Sequence, residues 1–211
     1  TAFGEYGGGA WGVRNGTVVF AQWTDQRLYS VTVGGLPEPL TPEPQVARQW
    51  RYSEPNWLND GWLLCVRENH TPEMKEAHGE AVHELVAVPL DGSAATDPER
   101  VRVLYGGLEG PDFLHAPVVA GDQVTFLQWC HPQMPWDGTE AAVAVVERDE
   151  DGAPVGLTDA RTAMGSVHES IVQPGFTSGG DLLAVSDRTG WWNPWVVPAE
   201  ARSREQGRDL V

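Results

Sequence analysis

The stretch Cys130–Glu140, reading CHPQMPWDGTE, crowds His131, Trp136, Asp137 and Glu140 around two prolines. An imidazole, two carboxylates and an indole in one short loop can contact a ligand. The same residues can instead make a stiff turn, in which Pro132 and Pro135 fix the backbone, Trp136 packs on a neighbouring element and Asp137-Gly138 reverses the chain. Trp191-Trp192 poses a similar choice, because adjacent indoles can stack on a bound side chain or fill space between sheets, and packing is the expected fate of most of the ten tryptophans. Asp187-Arg188 reads as an ion pair within a turn.

His70, His78 and His83, interleaved with Glu73, Glu76, Glu80 and Glu84, invite a metal reading. Their spacing fits neither an H-E-x-x-H helix nor a zinc finger, so a solvated loop is expected, with no metal and no cofactor. Cys65 and Cys130 have no C-x-x-C partner and lie beside apolar runs; two reduced, partly buried thiols fit the cytoplasm. Gly7-Gly8-Gly9 is followed by no helix and is therefore no phosphate loop; it is expected to let the backbone approach a channel wall.

The elements that must position these groups are strands. Helical periodicity is weak, and 24 glycines and 16 prolines punctuate short runs of Val, Leu, Ile, Phe and Trp. With 211 residues, 41% of them hydrophobic, the chain can bury a sizeable core, and no run reaches the length of a membrane-spanning helix. A formal charge of −16 argues against nucleic acid as a partner, since too few cations are present to neutralise phosphates.

A repeat organises the strands. The runs from Pro55 to Leu64, Pro117 to Phe126 and Pro174 to Leu183 share one plan of proline, short strand, Gly/Asp turn and apolar strand, and Ala10–Val19 follows it without the proline. Each copy continues into a third strand (Leu28–Val31, Leu85–Val88, Ala142–Val145, Trp195–Val197) and a short fourth segment (Glu38–Thr41, Arg102–Tyr105, Gly156–Thr158, Arg208–Val211). Four strands per unit predict an all-β protein of about four antiparallel β-propeller blades, at roughly 4–43, 51–108, 113–160 and 170–211; a sandwich is the alternative. The connections after Asn69 and Cys130 are enlarged, and long loops on a rigid scaffold are where function concentrates.

Three ordered motifs, Glu5–Ala10, His131–Glu140 and Ser186–Asn193, resemble the propeller of bacterial prolyl oligopeptidase family serine peptidases, in particular the dipeptidyl aminopeptidase and acylaminoacyl peptidase branch. The resemblance runs from Glu5 to about Trp195. It implies a larger propeller that gates access for short peptides, followed by a C-terminal α/β-hydrolase domain with the serine nucleophile; this sequence contains no G-x-S-x-G and is expected to be inactive alone. Recognition of a peptide amino terminus needs acids in a desolvated place, which makes Glu84, Asp137 and Glu140 candidates, with His131, Trp136, Trp191 and Trp192 lining the same surface. Pro194 departs from the family pattern because it removes a ladder donor inside a strand, which is tolerable at a strand start or edge. The competing functions are a stand-alone propeller that scaffolds protein partners and a glycan-processing enzyme with paired carboxylates.

Overall fold

The computed structural model describes residues 1–5 and 7–200, which form four antiparallel sheets. The first sheet is β1 (Trp11–Arg14), β2 (Thr17–Ala21), β3 (Leu28–Thr32) and β4 (Glu38–Pro39), and the second is β5 (Trp50–Trp57), β6 (Trp62–Asn69), β7 (Val82–Pro89) and β8 (Arg102–Gly106). The third is β9 (Phe113–Ala120), β10 (Gln123–Trp129), β11 (Thr139–Arg148) and β12 (Pro154–Ser166). The fourth contains β13 (Ile171–Phe176), β14 (Leu182–Ser186) and β15 (Asn193–Val197). Within each sheet every strand pairs with the next in the chain, the up-and-down order of propeller blades that the repeat predicts. The expected fourth strand at Arg208–Val211 lies outside the described residues. Pro194 is the second residue of β15, the last strand described in its sheet, where a missing donor costs little.

The repeated prolines have a different role from the one the sequence suggests. They stand inside the first strand of a sheet, not at its start, and each follows a residue of positive φ: Glu54 (58°) before Pro55, Ala116 (49°) before Pro117 and Gln173 (53°) before Pro174. At each site the register shifts, so that two residues face one on the second strand: Cys65, Phe126 and Ala184 respectively. Three sheets therefore carry the same bulge, which bends the first strand and steps its side-chain alternation. β1 has none. Its approach through Gly8, Gly9 and Gly12 runs against the β5 bulge, where Glu54 N–H donates to the Gly9 carbonyl, a Cβ on Gly8 would overlap Ser53 Oγ and one on Gly12 would come within 2.7 Å of the Pro55 oxygen. The glycines let two backbones touch.

The chain divides into two compact units: Thr1–Pro111 with Glu147–Gly156, and Asp112–Val146 with the chain from Leu157 on. In the first, Val19, Ala21 and Leu28 join Tyr52, Leu63, Cys65, Val86 and Val88 in one core, with Trp50 and Trp57 packed against it. Every residue of β7 is buried. In the second, Leu127, Ala141 and Val143 meet Ile171, Leu182 and Ala184, with Phe176 and Trp195 at the margin.

The outer faces of the first and fourth sheets are apolar too. The paired rows Trp11↔Phe20↔Tyr29 and Val13↔Val18↔Val31 alternate with the buried Val19 and Leu28, and Trp11 and Val13 are exposed. In the fourth sheet Leu183 pairs with Val196 and Val185 with Pro194, opposite in face to the buried Leu182 and Ala184, and Leu183 and Val196 are exposed.

Candidate functional site

The first unit concentrates charge at one end of β5, β6 and β7, and cross-strand register sorts it into two clusters. Tyr52, Arg67 and Glu84 are aligned neighbours, as are Arg51, Glu68 and His83; Arg67 and Glu68 are adjacent in β6, so the clusters occupy opposite faces. Arg67 Nε donates to Glu84 Oε2 at 2.7 Å, Asn69 Nδ2 to Glu84 Oε1 at 3.4 Å, and the guanidinium lies 5.8 Å over the Trp50 ring. Glu84, expected just before its strand, is the third residue of β7, buried and engaged with the Arg67 charge.

Glu68, which no sequence motif marks, is the hub of the other cluster. Its carboxylate accepts from Gly4 N–H at 2.7 Å and lies 3.0 Å from His70 Nε2, 3.5 Å from His83 Nε2 and 3.5 Å from Arg51. Burial pushes its acidity toward higher pH, but hydrogen bonds from His70, His83 and Gly4 and the His83 charge outweigh that and hold it at about 2. Arg51 reaches on to the Ala2 carbonyl and to Glu5, while Ala2 N–H donates to the buried Gln26. The start of the chain is thereby fastened to the second sheet. Two of the three histidines from the expected solvated loop are structural anchors; the rest of that loop is a short exposed helix, α1 (Pro72–His78), opened by proline and closed by Gly79 in the left-handed region. Among the described residues no group of His, Cys, Asp and Glu is arranged to hold a metal. The Cys65 thiol is free and buried, and burial pushes it up to about 12, whereas Cys130 is free but exposed, contrary to the partial burial expected of it.

In the second unit the loop between β10 and β11 is pinned to the fourth sheet. The Pro135 carbonyl accepts from Thr139 Oγ1 and Ser170 Oγ, each at 2.6 Å, and Thr139 N–H donates to the Glu169 carbonyl at 2.9 Å. A Cβ on Gly138 would come within 2.7 Å of Val167 backbone. The turn between β14 and β15 is tied to the same place: Glu169 takes Arg188 in a two-pronged ion pair and the hydroxyl of buried Ser186, and Asp187 accepts from Ser170 N–H. Where an ion pair within the turn was expected, Arg188 pairs with Glu169 and Asp187 accepts from Ser170, so each ties the turn to Glu169-Ser170.

This frame presents aromatic surface. Trp136 is 64% exposed, Trp191 79% and Trp192 51%, with Met134 and Val167 also exposed. The expected packing role is at odds with the exposure of Trp136, Trp191 and Trp192, half or more of each. It holds for Trp50, Trp57 and Trp195, the last also stacked under Arg188 at 4.8 Å. His131 is exposed, fixed by its N–H to Asp112 at 2.7 Å and by edge contact with Phe113, which stacks on Trp129. Asp137 is exposed, and Glu140, the second residue of β11, is half-buried with Oε2 accepting from Gln128 and Thr162. The structure therefore gathers His131, Trp136, Asp137, Glu140, Trp191 and Trp192 at one end of the second unit and gives Glu84 a separate, buried setting in the first.

No family model and no curated relative matches the chain. Among solved structures, puromycin hydrolase superposes with a TM-score of 0.77 at 36% identity over 93% of this chain, and a Mycobacterium tuberculosis puromycin-hydrolyzing peptidase with 0.75 at 34% over 95%. This chain spans 30% and 32% of their respective lengths. Prolyl oligopeptidase B from Galerina marginata shares the fold at a TM-score of 0.52 and 14% identity, over 81% of this chain and 24% of its own. At 36% identity over nine-tenths of its length, this chain is similar to a part of puromycin hydrolase that makes up 30% of that enzyme, and it shares its fold with the more distant oligopeptidase, which is consistent with the propeller domain of a prolyl oligopeptidase-family peptidase.

Proposed function

We propose that the chain is the substrate-access propeller of a serine peptidase that hydrolyses short peptides near their amino terminus, in the cytoplasm, with the dipeptidyl aminopeptidase and acylaminoacyl peptidase branch as its functional class. The observation that carries this reading is the 34–36% identity to two puromycin-hydrolysing enzymes, each about three times as long as this chain. In that reading the remaining length of the parent holds an α/β-hydrolase domain, where serine attacks the scissile carbonyl and water then releases the acyl group. The propeller's part is steric exclusion of folded proteins and capture of the peptide end.

Glu140 is the acid best suited to that capture. It is half-buried, which strengthens its attraction for an ammonium group, and Gln128 and Thr162 hold its orientation from one side. Glu84 is committed to Arg67 and supports the fold. In the full-length protein, Glu140→Gln is expected to raise KM for puromycin and for aminoacyl p-nitroanilides about tenfold, the size of one charge-assisted hydrogen bond, and to leave N-acetylated substrates unaffected. Equal effects on free and acetylated substrates would remove Glu140 from the role.

A further inference from the structure

Resting on that peptidase reading, we propose that the Trp136, Trp191 and Trp192 surface of the second unit is a subsite for an aromatic side chain of an amine-bearing peptide. The first argument is construction. An exposed tryptophan on a loose loop is ordinary surface, but these three stand on two turns locked to one another through Pro135, Thr139, Glu169, Ser170 and Arg188. The lock is polar and partly buried, with Ser170 and Ser186 fully enclosed, so the turns that carry the indoles are held in a fixed arrangement. An indole has only two side-chain torsions to lose when a flat ring stacks on it.

The second argument is size. Met134, Trp136, Val167, Trp191 and Trp192 are the large apolar side chains exposed there, a footprint for a ligand of two or three residues. A stable protein interface takes roughly 20–30 residues a side. The third is charge: Asp137 is exposed beside Trp136, Glu140 is half-buried at the base of the same loop, and Arg188 is neutralised by Glu169. The surface is apolar with an acidic margin, complementary to an aromatic group that carries an ammonium nearby.

The test uses reduced-amide analogues of Phe-Ala-Phe and Ala-Ala-Ala, titrated against the full-length protein by calorimetry. The aromatic analogue should bind more tightly than the aliphatic one. The double variant Trp191→Ala/Trp192→Ala should weaken it about tenfold, with little change for the aliphatic analogue, as expected for loss of two stacking contacts. Trp191→Phe/Trp192→Phe should retain most of the preference, and circular dichroism of each variant reports on folding. Equal affinity of the two analogues, binding of neither, or a preference that survives the alanine pair would each overturn the proposal; binding of neither would favour a protein-docking role for the surface. Aromatic-selective binding without turnover of any peptide would leave the subsite standing and overturn the peptidase reading alone.

Discussion

At the scale of the residue, the strongest consequence concerns Glu68. A carboxylate held at about 2 in the folded chain, against an ordinary value near 4.5, adds stability that is fully present above pH 4.5 and lost as pH falls through about 2. The difference is on the order of 3 kcal/mol. Glu68→Gln should lower the thermal midpoint at pH 7 and flatten its decline between pH 4.5 and 2; parallel profiles for the two proteins would contradict the hub. Arg67→Ala should cost more than loss of a surface charge, about 3–5 kcal/mol, because Glu84 would remain buried without its cation. A midpoint within a degree or two of the parent's would show that Glu84 finds another partner. Neither cluster was legible in the sequence, because Glu68 and His83, or Arg67 and Glu84, become neighbours only through strand register. His131, Trp136, Asp137 and Glu140 were legible because they fall within one ten-residue run, His131–Glu140.

At the scale of the element, the blade plan was readable from its punctuation: Gly/Asp turns separate apolar runs, and the proline recurs at a fixed offset. What the proline does was not readable. The residue that turns into the left-handed region is Glu in one copy, Ala in another and Gln in the third, so no residue type marks the bulge. Glycine positions with a steric cause make the sharper forecast. Gly165 has φ of +98°, and a Cβ there would overlap the Thr139 carbonyl and press on the Glu140 backbone. Gly165→Ala should therefore destabilise by about 2 kcal/mol or more and displace the first residues of β11, raising KM along with the loss in thermal midpoint. Gly121, with open space around its Cβ, is the control: Gly121→Ala carries only the cost of its positive φ and should leave KM unchanged. Equal losses for the two would refute the steric account.

At the scale of the whole molecule, the apolar outer faces of the first and fourth sheets are the property that repeat counting alone could not supply. Trp11 and Val13 on one sheet, and Leu183 and Val196 on the other, are exposed where an interior blade would be covered. The isolated 211-residue chain is therefore expected to self-associate and to hydrolyse nothing; a compact monomer by light scattering would count against the larger propeller. The central claim, that this chain is the access domain of a serine peptidase, is tested most directly in the full-length protein by combining turnover with covalent labelling. Purified protein should hydrolyse puromycin and short aminoacyl p-nitroanilides, and a fluorophosphonate probe should abolish that turnover while modifying one serine that peptide mapping locates outside residues 1–211. Absence of turnover, or a label on a serine within this chain, would contradict it.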